Sequence, residues 1–181
     1  MAEEKLVKFI WTIGHSTHPL NEFISLLKIH GIATLADIRN FPGSKRFPHF
    51  NKEALQISLR EEGIGYVHLK ELGGRRKPIA VSHNSGWRLP AFRGYADYME
   101  TSIFKVAIEE LQNIALIQPT AYMCSEAVWW SCHRSLVSDY LKIRGWNVRH
   151  IMGKDKTVEH PFTSPARIIN GELRYGDPAL F

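Results

Sequence analysis

The chain has 181 residues, 44% of them hydrophobic and 23% charged, with a formal net charge of +5. That length and balance describe one globular domain with a sizeable core, and no internal repeat or low-complexity segment interrupts it. No apolar run approaches the ~20 residues of a membrane-spanning helix, and the start, Met-Ala-Glu-Glu-Lys, carries acid where a signal peptide carries base. The expectations are a cytoplasmic location, no membrane partner, and two reduced cysteines. Charge is unevenly spread. Residues 39–93 hold eleven Lys/Arg against four Asp/Glu, a local surplus of +7, which leaves the remainder at −2. Much of that surplus is loop arginine, whose planar fork suits phosphate or carboxylate. An anionic small molecule or a nucleic acid is therefore the expected partner.

Residues 8–13 read as a buried strand, ending in Gly14-His15-Ser16-Thr17-His18-Pro19. Pro19 opens a helix carrying Leu20, Phe23, Ile24 and Leu27, which Gly31 stops. Residues 32–38 form a second, almost wholly apolar strand that runs into Asp37 and Arg39. A turn-rich basic loop follows, and then Asn51 caps a helix with Leu55 and Leu59. Residues 64–69 are a third strand. The stretch 70–90 has no period, and a loop that long inside a compact domain is usually functional or mobile.

Residues 92–99 and 103–117 read as two helices or one kinked helix, with Ile103, Ala107, Leu111 and Ile114 on the inner face. Residues 120–123 are a fourth strand. The next helix carries Leu136, Val137, Tyr140 and Leu141, and 146–152 is a fifth strand. In the tail, Asn170-Gly171 marks a small hairpin. Strands alternating with helices predict an α/β fold: a single domain with a mostly parallel sheet of about five strands and helices on both faces. Residues 1–153 make that domain, and 154–181 a small C-terminal extension packed on it.

Open parallel sheets take ligands beyond the carboxyl ends of their strands. The polar residues here follow the strands: His15 and Ser16 the first, Asp37 and Arg39 the second, Arg75 and Arg76 the third, Cys124 and Glu126 the fourth. Cys132, His133 and Arg134 open the next helix, and Ser44 lies in the basic loop. His15, Asp37, Cys124 and Glu126 are the catalytic candidates. Ser16, Arg39, Ser44, Arg75, Arg76, Cys132, His133 and Arg134 are the anion-binding candidates.

Alternatives stay open at several positions. Cys124 is either a small buried hydrophobe or a thiolate supported by Arg134 or His133. Cys132 either gains acidity from the helix dipole or simply packs. Asp37 is equally readable as the partner that aims Arg39. Trp129 and Trp130 either cover the core or stack on a base. Cys124, Cys132, His133 and His15 are metal-ligand types, but no pair has familiar zinc spacing, so no metal is assigned and the cofactor is left open. No phosphate-binding P-loop, dinucleotide fingerprint or serine elbow occurs.

Thr12-Ile-Gly-His-Ser16, Asp37-Ile-Arg39 with Pro42 and Ser44, Leu72-Gly-Gly-Arg75, Gly94-Tyr-Ala-Asp-Tyr-Met99, and Met123-Cys-Ser-Glu126 with Cys132-His-Arg134 carry a resemblance. The set is similar to the domain of unknown function 488 family of bacteria and archaea, over about residues 8 to 152. Ser125 departs from it, since that position is more often alanine in the family. The resemblance implies an α/β domain with a shared polar site and names no reaction. The residues themselves favour an enzyme acting on a phosphate-bearing substrate, a nucleotide or nucleic acid. A non-catalytic nucleic-acid-binding module and a thiol-based redox protein are the other readings.

Overall fold

Lys8–Gly14 (β1) lies near the centre of one sheet in the computed structural model, which describes residues 7–176. Thr34–Asp37 (β2), Gly65–His68 (β3), Thr120–Cys124 (β4) and Trp146–Gly153 (β5) run parallel to it in the order β3-β2-β4-β1-β5. A sixth strand, Lys156–Glu159 (β6), pairs antiparallel with β5 at the sheet edge. The α/β class and the mostly parallel sheet are as the sequence predicts. The extra strand is Lys-Thr-Val-Glu, too short and polar to show a period, as edge strands commonly are.

The helices are Leu20–Ile29 (α1), Lys52–Glu61 (α2), Pro90–Met99 (α3), Ser102–Ile117 (α4) and Arg134–Ile143 (α5). Side chains alternate across the strands and feed two cores. Leu35, Ala121 and Met123 pack with Phe23, Ile24, Leu27, Leu55 and Leu59 of α1 and α2. Ala36, Tyr122 and Val148 pack on the opposite face with α3, α4 and α5. One helical face differs from expectation at its start, where Phe104 takes the inner place expected of Ile103. On α4 it is Phe104, Ala107, Ile108 and Leu111 that are buried, while Ile103 is exposed. Thr101 accounts for this, because its side chain accepts the Phe104 N–H and starts the helix so that Phe104 turns inward.

The chain steps from β1 past β4's place to β2 and then β3, and returns through β4 and β5. With right-handed crossovers, that reversal puts α1 and α2 on one face and α5 on the other. The loops leaving the neighbours β1 and β4 therefore diverge, and they open a crevice at the carboxyl edge. In the tail, Arg167–Ile169 (β7) and Glu172–Arg174 (β8) form the expected hairpin. Asn170 and Gly171 both take the left-handed φ that a two-residue turn requires.

The segment after β3 is held although it lacks a period. The Asp97 carboxylate accepts bonds from Ile79 N–H, Ser82 Oγ and Asn84 Nδ2. Tyr95 and Tyr98 donate their hydroxyls to the carbonyls of Leu72 and Glu71. The Gly-Tyr-Ala-Asp-Tyr-Met motif is thus a clamp on this loop. Gly94 lets the loop seat, since a Cβ there would lie 2.4 Å from the Arg76 carbonyl oxygen and 2.6 Å from Pro78 N. Gly94→Ala should cost about 1–3 kcal/mol in urea unfolding, the usual range for overpacking. Unchanged stability would show that the loop does not rest on α3.

Candidate functional site

Beyond the ends of β1, β2 and β4 lies a cleft of about 780 Å³. Its lining includes His15, Ser16, Arg39, Ser44, Arg75, Cys124, Glu126, Cys132 and His133. Asp37, Arg76 and Arg134 are not part of the lining, and each has a structural reason for lying elsewhere.

Asp37 is fully buried behind Arg39. Its carboxylate accepts the Arg39 backbone N–H at 3.0 Å, Nε at 2.9 Å and NH2 at 2.6 Å, and the Tyr66 hydroxyl at 2.7 Å. With its oxygens so occupied it aims Arg39 and does not reach a substrate. Arg76 stacks over the Tyr98 ring at 3.7 Å and donates to the Gly73 carbonyl, so it belongs to the loop clamp. Arg134 is 1% exposed. Its NH1 donates to Thr12 Oγ1 at 3.1 Å, and its NH2 to the Glu126 carbonyl at 2.6 Å. It is a brace between β1 and the β4–α5 loop. Gly14 makes room for that brace, because a Cβ there would stand 1.8 Å from the Glu126 carbonyl oxygen and 2.9 Å from Arg134 NH2.

His15 donates Nδ1–H to the Ser16 carbonyl at 3.0 Å, which leaves Nε2 to accept from Arg39 NH1 at 3.3 Å. Burial, and then the Arg39 charge, lower its pKa to about 4, so the ring is neutral near pH 7. Phe50 stacks on it, with centroids 4.3 Å apart.

Cys124 ends β4, and Cys132 and His133 lead into α5. His133 donates Nε2–H to the Ile38 carbonyl at 3.3 Å, so its Nδ1 lone pair turns toward both sulfurs. Cys132 Sγ lies 3.6 Å from that nitrogen and Cys124 Sγ 3.9 Å. The Cys132 thiol hydrogen-bonds Cys124 and, with the hydrogen bond to His133 and the positive charge of Arg134, holds the Cys124 pKa well below the ordinary value despite burial. Burial and the neighbouring Cys124 sulfur push the Cys132 thiol up. The gain in acidity that the helix start suggested for Cys132 thus falls on Cys124. Both cysteines are free thiols. The glycines of Leu72-Gly-Gly-Arg75 permit close approach, since a Cβ on Gly73 would meet Asn40 Cα at 2.8 Å and one on Gly74 would meet His133 Nδ1 at 2.8 Å.

Further residues join the site. Phe41, which the sequence offers as a face for stacking on a base, lines the cleft and is 66% exposed, and Arg46, not a candidate by sequence, lines it beside Ser44. Their place in the loop after the second strand was the available signal. A second set had no such signal. Thr12 Oγ1–H donates to His150 Nδ1, His150 Nε2–H to His160 Nδ1, and His160 Nε2–H to Asp139 Oδ1, each at 2.9 Å. With Arg134 at its head, this makes a buried chain of hydrogen bonds from a cation to a carboxylate. Trp129 stacks on His150 with centroids 4.4 Å apart, so of the two tryptophans it is the packing residue, while Trp130 is exposed.

This fold and cleft define an α/β domain with a polar strand-end site floored by two thiols and an imidazole. A family model described as Domain of unknown function DUF488 matches residues 19–141, about two thirds of the chain, and the protein belongs to that family. The match is narrower than the motifs at 12–16 suggest. No curated protein and no solved structure matches the chain. Among the described residues, no helix is long and apolar enough to cross a membrane.

Asp37→Asn leaves Arg39 as a buried charge without its counter-ion, and should cost about 3–5 kcal/mol of stability. A loss below about 1 kcal/mol by denaturant titration would contradict the bracing role. Acid is expected to act through His15 and His150. Burial lowers the His150 pKa to about 2, with His160 and Arg134 adding to the effect, whereas both side chains titrate near 6.5 when unfolded. Below pH 6.5 the unfolded chain takes up protons that the native state refuses. Stability should therefore fall with falling pH, by about 1.4 kcal/mol per pH unit for each histidine. Equal unfolding free energies at pH 7 and pH 5 would rule this out.

Proposed function

We propose that the protein is an enzyme acting on a phosphate-bearing substrate, a nucleotide or nucleic acid, bound in the cleft beyond β1, β2 and β4. The observation that carries this reading is the joining of two kinds of group in one cleft. Arg39, Arg46 and Arg75 line it, and Cys124, Cys132 and His133 form its floor. Arg75 and Arg46 are exposed and fit phosphate by bidentate hydrogen bonding. Arg39 is held by Asp37, the Phe50 carbonyl and His15, so it lines the cleft in a fixed pose. Phe41 offers a face for a base.

The floor supplies the nucleophile, with the Nδ1 lone pair of His133 as its proton acceptor. Glu126, exposed at the rim, serves as the second acid–base group. His15 is neutral, buried, and bonded at both nitrogens, so it positions Arg39 and does not carry protons.

The exposed Phe41 and the rim arginines also suit a binding module that leaves its nucleic acid unchanged, and one experiment separates the two. The protein is titrated with mononucleotides and short single-stranded DNA and RNA, and each bound compound is then examined by mass spectrometry. Binding should weaken at least tenfold in an Arg46→Ala/Arg75→Ala double variant and fall with added salt. Chemical conversion should be lost in folded Cys124→Ala and His133→Ala proteins. Binding indifferent to the two arginines would remove the anion site. Tight binding with no conversion would leave the binding module.

A further inference from the structure

We propose that Cys124, Cys132 and His133 hold one thiophilic divalent cation of the zinc class, whose fourth coordination position opens into the cleft. With the ion bound, these side chains act as its ligands in place of the free nucleophile and base described above; the consequence for turnover rests on the cleft being the active site, and the binding itself on these three side chains. Their ligand atoms all lie within 4.8 Å of one another. Zinc–sulfur bonds of about 2.3 Å and zinc–nitrogen bonds of about 2.0–2.1 Å at tetrahedral angles put sulfur and nitrogen about 3.5 Å apart. The observed distances of 3.6 and 3.9 Å are close to that edge, so an ion can enter with small side-chain shifts.

The surroundings fit the same role. A metal-bound histidine usually donates its other ring N–H to a carbonyl or carboxylate, which fixes the tautomer. His133 does so to the Ile38 carbonyl, and its ligand nitrogen faces the thiols. Gly74 keeps that nitrogen uncrowded where any larger residue would press on it. Two thiolates and an imidazole select zinc over magnesium or calcium, which prefer oxygen. Three protein ligands beside a cleft are the pattern of a catalytic site with an exchangeable position, where the ion polarises whatever oxygen arrives. The sequence conceals the set because the ligands come from a strand end and a helix start, with no short Cys-x-x-Cys knuckle.

The test is anaerobic titration of full-length, reduced, chelator-stripped protein with Co²⁺ alone. One equivalent should produce thiolate-to-cobalt charge-transfer absorption and the intense visible bands of tetrahedral cobalt, and Zn²⁺ should abolish both. Cys124→Ser and Cys132→Ser should each weaken binding more than about tenfold, since losing even an outer-shell partner costs 10–100-fold. The double variant should lose the charge-transfer band. In case the variants misfold, alkylation of the wild-type protein gives a second readout, and Zn²⁺ should protect both thiols. No charge-transfer band at saturating Co²⁺, or thiols alkylated equally fast with and without Zn²⁺, overturns the proposal, and a ready Cys124–Cys132 disulfide in that same protein would point to redox chemistry. Nucleotide binding measured in the stripped protein reads the anion site independently, so failure of either proposal is distinguishable from failure of the other.

Discussion

Arg134 is the constraint on which the rest of this structure depends. A guanidinium at the first turn of a helix opposes the helix dipole, and one that is 1% exposed has given up its hydration. It is stabilised by the carbonyls of Glu126 and Ala127 and by Thr12. Through Thr12, His150 and His160 it is also linked to buried Asp139. Its Nε finds no partner among the described residues. The energetic sense of the chain is that neither charge stands alone: imidazoles, each donor on one side and acceptor on the other, polarise between them. The spatial sense is that β1, β5 and α5 are locked together directly beneath the loop that carries Cys124 to Cys132.

This lock also brings the tail into the site's support. Asp139 accepts from Thr163 N–H and Oγ and from the Tyr175 hydroxyl, besides His160. The segment after residue 153 adds β6 to the sheet and closes over α5 with Tyr175, which is buried in the same core as Tyr95 and Leu136. Support runs from the tail through Asp139 to Arg134 and so to the floor of the cleft, with no described tail residue lining it.

The motifs divide their work accordingly. Gly14, Gly73, Gly74 and Gly94 are each placed where another backbone or a ring comes too close for a Cβ. Asp37 and Asp97 are carboxylates consumed in holding, one an arginine and the other a loop. Only a minority of the motif residues, chiefly Cys124, Cys132, His133, Arg39 and Arg75, present chemistry to the cleft. A family signature of this kind records the scaffold of a site as much as its reagents.

Much was legible in the one-dimensional chain, because local periodicity reports local structure. The strand periods, the Pro19 and Gly31 helix limits, the Asn170-Gly171 turn and the parallel order that gathers strand-end residues on one edge all follow from neighbours in sequence. Side-chain direction did not. Which of several arginines face solvent in the cleft and which are buried in bracing depends on partners far along the chain, as Arg134 does on Thr12. The same holds for the Thr12–His150–His160–Asp139 chain, whose members are joined only by the pairing of β1 with β5 and the packing of α5 on β5. It holds too for the Cys/His cluster, where a strand end and a helix start meet through a loop whose course only the folded chain fixes. The sequence determined which groups lie near the carboxyl edge. Tertiary packing decided which of them are free to react, because burial and hydrogen bonding consume a polar group's capacity before any substrate arrives.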